Sequence, residues 1–176
     1  MAVGVALLLA VVISGCGDDD SGATTAKDPA SSQSEPAGTS GELPDWAPKI
    51  ITDANDDVTG LDFSAVGEPS DQLQVAEVTT GTGAPVEQGQ TITADYFGQL
   101  ADQDAPFDES YSGEPFDAPI GVGSLIPGWD QGLVGVPVGS RVVMSIPPDL
   151  GYGEGGSGPI PGGATLYFVV DIIDAT

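Results

Sequence analysis

From Leu73 to the C-terminus, apolar and polar residues alternate in short runs separated by glycine, proline and aspartate. LQVAEVT (Leu73–Thr79), TITADYF (Thr91–Phe97) and RVVMSI (Arg141–Ile146) carry the period of two expected of half-buried strands. Their predicted inward faces include Ile92, Ala94 and Tyr96, then Val142, Met144 and Ile146. ATLYFVVDIID (Ala164–Asp174) reads as a long closing strand with Leu166, Phe168, Val170 and Ile172 inward. PFDAPI (Pro115–Ile120) is a short extended piece whose prolines suit a sheet edge. One stretch, GVGSLIPGWDQGLVG (Gly121–Gly135), breaks the alternation. Proline is favoured at the first helical position, so a helix is predicted to start at Ile126 or Pro127. Trp129, Leu133 and Val134 share one face of it, and Gly132 and Gly135 keep it short. Strands surrounding a single short helix predict an α+β domain, a sheet curled around the helix with Trp129 at the bottom of the hollow. The pattern alone leaves Trp129 open to two readings, an ordinary core residue or the floor of a site.

Upstream the pattern changes twice. Residues 43–70 hold scattered apolar residues (Leu43, Trp46, Ile50, Ile51) and a candidate strand near Gly60–Ser64. This N-terminal extension is expected to pack partly against the domain of residues 71–176, with Asp53, Asp56 and Asp57 on a solvated face. Residues 16–42 contain almost no apolar residue larger than alanine, too little to offset the entropy of ordering, and read as a disordered linker. Residues 1–15 are an apolar run too short to span a bilayer as a helix and suited to the core of a secretory signal. Ile13-Ser14-Gly15-Cys16 resembles the lipobox of bacterial lipoproteins, which implies cleavage before Cys16 and its lipidation. No Lys or Arg precedes the run, a departure from that pattern.

Composition narrows the chemistry. The chain has 27 acidic and 3 basic residues, a net charge of −24, which repels nucleic acid and anionic headgroups. It has no histidine and one cysteine, so a Ser-His-Asp triad, a Cys-His pair and an intrachain disulfide are excluded. No EF-hand spacing is present, and no metal or cofactor is implied.

The motifs DYFG at Asp95, PFDES at Pro106, IGVGSLIPGWDQGL at Ile120, VGSRVVMSIPP at Val138, LGYGEGG at Leu150 and IPGGATLYFVVDII at Ile160 occur in one order across nearly the whole domain. In that order and spacing the chain resembles the FKBP family of peptidyl-prolyl cis-trans isomerases. The resemblance implies a strongly bent antiparallel sheet around one short helix, with the pocket between them. It implies a pocket floor at Trp129, aromatic walls at Tyr96, Phe107, Phe116 and Phe168, and further lining at Leu125 and Ile160. It assigns the donors to substrate carbonyls to the backbone N–H of Ile126 and the hydroxyl of Tyr152, and the single bordering carboxylate to Asp108. It also implies proline-containing polypeptides as partners and macrolides as inhibitors.

Such chemistry needs no nucleophile or metal, which suits a chain without a Ser-His-Asp triad or a Cys-His pair. Rotation about an X–Pro bond breaks no bond to substrate; it faces a barrier of ~18–20 kcal/mol from amide resonance. A site that binds the twisted amide better than the planar one is sufficient. The chain departs from the family in three places. Ser112, Gly113 and Glu114 stand where a basic residue often steadies the aspartate, no histidine follows Tyr152, and Pro159 replaces a common aliphatic residue. The expected protein is a lipid-anchored, extracytoplasmic prolyl isomerase. The alternative is an FKBP-like module that holds proline-containing chains without turnover.

Overall fold

The computed structural model describes residues 42–176. The predicted signal, the lipidation site Cys16 and all but the last residue of the linker lie outside them. Residues 43–70 belong to the same unit as residues 71–176. In chain order the elements are β1 (Lys49–Thr52), β2 (Val58–Asp62), β3 (Gln74–Thr79), β4 (Thr91–Gln99), β5 (Pro106–Glu109), β6 (Phe116–Pro119), α1 (Pro127–Gly132), β7 (Arg141–Ile146) and β8 (Leu166–Ala175). Two single-turn 3₁₀ helices, Pro148–Leu150 and Gly153–Gly155, interrupt the loop between β7 and β8.

The main sheet runs in the order β3-β7-β8-β4-β5, and β6 also pairs with β4. All its pairings are antiparallel. β4 is the axis of the sheet. One of its sides pairs with β8, while the other takes β6 at Thr91–Ala94 and β5 at Phe97–Gln99. The helix crosses the front face at close range. A Cβ on Gly128 would lie 2.4 Å from Ile146 Cγ2, and one on Gly132 would lie 2.9 Å from the Met144 sulfur. Glycines four residues apart thus let one helix face settle onto β7, and Trp129 and Leu133 enter the front core at 4% and 0% exposure.

The alternation is seen in the burial. Ile92, Ala94, Val142, Met144, Ile146, Leu166, Phe168, Val170 and Ile172 all belong to the front core. Val134 does not: the helix stops at Gly132, and Val134 turns outward at 37% exposure. The sheet is also less one-sided than alternation alone predicts. Phe97, Val143, Tyr167 and Val169, on its back face, are buried in a second cluster with Val58 and Leu61. Leu43, Trp46, Ile50, Phe63 and Val66 pack against that cluster. The extension is therefore a second layer, a β1–β2 hairpin with flanking loops laid over the back of the sheet, and Phe63 meets Tyr167 edge-on at 4.9 Å. Asp53 and Asp56 are exposed as expected, while Asp57, next to buried Val58, is half-buried, and the two exposed ones have partners. Asp53 accepts the N–H groups of Asn55 and Asp57, closing the hairpin turn, and Asp56 reaches Arg141 on β7.

Candidate functional site

A cavity of about 660 Å³ opens between α1 and the front of the sheet. The bent sheet brings β4, β5, β6 and β8 to one side of it, and α1 with the two long loops to the other. Every side chain assigned to the site from sequence lines it: Tyr96, Phe107, Asp108, Phe116, Leu125, Ile126, Trp129, Tyr152, Ile160 and Phe168. Ser124, Pro127, Ser157, Gly158 and Pro159 complete the wall and were not assigned to it from sequence.

The aromatic rings form an open box. Tyr96, Phe116 and Phe168 stand almost perpendicular to the Trp129 indole, at interplanar angles of 84°, 88° and 85° and centroid distances of 5.5, 5.9 and 5.4 Å. Edge-to-face contact is the favoured arrangement for such pairs. The walls therefore rise from the floor instead of lying flat on it, and the indole lines the cavity between them. Phe107 extends the box by meeting Phe168 at 5.4 Å and 85°. Buried Trp129 makes no hydrogen bond through Nε1 among the described residues.

The polar groups are few and placed at the rim. The Tyr96 hydroxyl donates to Asp108 Oδ2 at 2.7 Å. Burial, reinforced by that bond and by the Asp108 charge, pushes the Tyr96 hydroxyl far above the usual tyrosine range. Tyr96 stays a protonated donor at neutral pH, so one carboxylate oxygen of Asp108 is held in place. Asp108 Oδ1 accepts the Glu109 N–H at 3.1 Å. Two donors remain unspent. Ile126 is the N-cap of α1, with an extended backbone, and its C=O accepts the Trp129 N–H at 3.0 Å. Its own N–H has no partner among the described residues. The Tyr152 hydroxyl likewise makes no hydrogen bond among them, and Tyr152 is 40% exposed.

One residue that supports the site was not visible from sequence. Asp130, in the first turn of α1, accepts the N–H groups of Gly121 and Gly123 through its two carboxylate oxygens, each at 2.7 Å. This clamp folds the loop before the helix back on the helix and presents Ser124, Leu125 and Ile126 to the cavity. The signal was an acidic residue near a helix start, which alone does not name its partner.

Comparison with known proteins agrees with this geometry. The family model for FKBP-type peptidyl-prolyl cis-trans isomerases matches residues 83–173. The chain is 46% identical over 88 residues to FK506-binding protein 2 of Emericella nidulans, covering 49% of this chain and 65% of that protein. It is 38% identical over 116 residues to the FK506-binding protein of Streptomyces anulatus, covering 64% of this chain and 93% of that one. Among solved structures, FkpA from Escherichia coli superposes with a TM-score of 0.56 at 34% identity, over 62% of this chain and 51% of that one. A peptidyl-prolyl cis-trans isomerase from Pseudomonas syringae gives 0.54 at 30% identity, over 62% of this chain and 80% of that one. The matched region spans 59–65% of the length of several fungal relatives.

Proposed function

From the premise that the chain belongs to the FKBP-type peptidyl-prolyl cis-trans isomerase family, we propose that it catalyses cis-trans isomerisation of X–Pro bonds in extracytoplasmic proteins as they fold. The observation that carries the reading is the aromatic box on Trp129, walled edge-on by Tyr96, Phe116 and Phe168 and lining the cavity beside α1.

The chemistry follows from the amide. In the planar form, resonance places partial negative charge on oxygen and partial positive charge on nitrogen; in the twisted form that separation is reduced. A planar amide therefore loses more hydration than a twisted one on entering an apolar box, and the difference lowers the barrier. The proline ring rests on the Trp129 face between Tyr96, Phe116 and Phe168. The free N–H of Ile126 and the hydroxyl of Tyr152 hold the flanking carbonyls, so one side of the bond is fixed while the other turns. Asp108, held by Tyr96, sets the field at the carbonyl that leaves the plane. Macrolides that mimic a twisted prolyl amide would compete for the same slot.

The cellular setting rests on the sequence. The apolar run ending in Ile13-Ser14-Gly15-Cys16 supports export, lipidation of Cys16 and a membrane-anchored domain on a linker. In detergent-phase partitioning the mature protein is expected in the detergent phase, and Cys16→Ser in the aqueous phase; identical partitioning of the two overturns the anchor.

A rate assay on short X–Pro peptides, with a macrolide as control, tests the activity. Acceleration abolished by the macrolide is the expected result. Wild-type protein that binds proline peptides but leaves the rate at background would reject the enzyme in favour of a non-catalytic binding module.

A further inference from the structure

The span from Pro69 to Thr176 holds 15 acidic residues and a single basic one, Arg141. Its guanidinium is committed to two partners from different layers. Nε and Nη2 fork onto Asp171 of β8 at 2.6 and 2.7 Å. Nη1 donates to Asp56 Oδ2 at 3.1 Å and Nη2 to the Asp56 carbonyl at 2.8 Å, gripping the β1–β2 hairpin turn. The Arg141 side chain is only 14% exposed and that of Asp171 24%, so the fork onto Asp171 is partly shielded from water, whereas the Asp56 carboxylate is 76% exposed.

The same Asp171 accepts a third donor, the hydroxyl of Tyr111, at 2.8 Å. Burial and the Asp171 charge hold that hydroxyl far above the usual tyrosine range, so it remains a donor. Tyr111 belongs to the segment that follows β5, the strand carrying Asp108. Its neighbour Ser110, 8% exposed, hooks the same segment to β4. The Ser110 hydroxyl accepts the Tyr96 N–H at 3.0 Å and donates to Asp95 at 2.8 Å, and its N–H donates to the Tyr96 carbonyl at 3.0 Å. Tyr96 in turn holds Asp108. In register, Arg141 faces Asp171 and Asp171 faces Asp95, so a polar row crosses β7, β8 and β4 and ends on the segment after β5. That segment, residues 110–115, contains no basic residue, so nothing within it can form an ion pair with Asp108.

We infer that Tyr111 is a positioning residue for the pocket carboxylate Asp108, and that the row through Asp171 and Arg141 couples the N-terminal hairpin to a site it does not touch. The inference rests on the isomerase reading for its kinetic consequence and on geometry alone for the coupling. Tyr111→Phe removes the hydroxyl and keeps the ring. Asp56→Gly removes the exposed carboxylate at a residue whose φ of 71° suits glycine, leaving the carbonyl contact.

The experiment measures kcat and KM on an X–Pro peptide for both variants, alone and in an Asp108→Asn background, together with the ¹³C shift of the Asp108 carboxyl carbon. Tyr111→Phe should lower kcat/KM about three- to tenfold and Asp56→Gly about twofold, through kcat more than KM. Neither should have an effect in the Asp108→Asn background, because the group being positioned has been changed. Losses that persist undiminished there, or a drop in melting temperature with unchanged kcat/KM, would overturn the inference. The carboxyl shift needs no turnover. If it is the same in wild type and both variants, the coupling is absent whatever the rate. If it moves while the wild-type rate stays at background, the coupling stands and the isomerase reading falls.

Discussion

Gly98 sits on β4 directly beneath the aromatic box, and Gly98→Ala probes how tightly Phe107 and Phe168 pack over it. A Cβ there would lie 2.6 Å from Phe107 Cζ, 2.7 Å from Phe107 Cε2 and 2.8 Å from Phe168 Cε1. Carbon atoms in contact prefer about 3.5–4.0 Å, so each ring must retreat by roughly 1 Å. The obstructing atoms are ring edges, not backbone, and some of the clash is relieved by ring movement. Phe168 is 4% exposed and braced edge-on against both Trp129 and Phe107, so that movement is limited. Overpacking of this kind costs about 1–3 kcal/mol. For a domain of this size each kcal/mol lowers the melting temperature by roughly 3–6 °C. Calorimetry, proline-peptide binding and the peptide isomerisation rate together read the outcome. We expect a fall of about 3–18 °C and a loss of affinity and rate of tenfold or more, because the displaced rings are the pocket wall. Phe107→Leu added to Gly98→Ala should recover most of the stability, since the added methyl occupies the space of the lost ring edge, but not the affinity. A Gly98→Ala protein with unchanged melting temperature and unchanged peptide affinity would refute the tight packing of Phe107 and Phe168 over Gly98.

Other substitutions address single roles. Trp129→Ala removes the floor and opens a cavity at a residue only 4% exposed, and should cost roughly 3–5 kcal/mol in denaturant unfolding. Tyr152→Phe should leave the melting temperature unchanged and weaken peptide binding by about 0.5–1.5 kcal/mol; equal affinity would remove the hydroxyl from the binding set. Asp108→Asn retains an acceptor for Tyr96 but removes the charge, so turnover should fall more than peptide affinity, and an unimpaired rate would show that the field at the carbonyl is irrelevant. With a net charge of −14 between Pro69 and Thr176, the melting temperature should rise with NaCl in the sub-molar range, where the Debye length is ~10 Å at 0.1 M and shorter above; a flat curve would mean the repulsion is negligible.

The parts of the fold that were legible in the sequence are those governed by local period and local backbone chemistry. Pro127 at the first position of α1 and the alternating strands β4, β7 and β8 needed only a few neighbouring residues to be read. Val134 was misplaced because helical spacing was carried past the residue at which the helix ends. In the site, no single aromatic identified itself; Tyr96, Phe107, Phe116 and Phe168 gained meaning only as members of an ordered family pattern. The supporting carboxylates stayed hidden for another reason. Asp171 meets Tyr111 across 60 residues and Asp130 meets Gly121 across nine, and both contacts depend on the folded path of the chain. A carboxylate has no periodicity, so its partner is fixed by topology and not by spacing.

The second layer lies between these two cases. The run LYFVV in β8 has no polar position, and all of its residues are buried. A strand with one wet face alternates, whereas an unbroken apolar run requires cover on both faces. β8 therefore demanded a partner for Tyr167 and Val169, and the chain offers few apolar residues to supply one. The front-facing residues of β4, β6 and β7, together with α1, are used on the front, and β3 supplies only Ala76 and Val78 to the back. What remains is the sparse set before residue 70: Leu43, Trp46, Ile50, Phe63 and Val66. Read together, the surplus in β8 and the scatter upstream are two halves of one interface. The same reasoning explains where the single cation of the domain goes. A hairpin with aspartates in its turn, laid on an acidic sheet, needs a positive charge at the seam, and Arg141 is placed there between Asp56 and Asp171. Hydrophobic burial thus fixes which face the extension covers. The buried Leu61 N–H, donating to Gln99 Oε1 on β4 at 3.1 Å, and the Arg141–Asp56 contacts hold it on that face, and Arg141 brings the extension within one side chain, Asp171, of the segment that shapes the pocket.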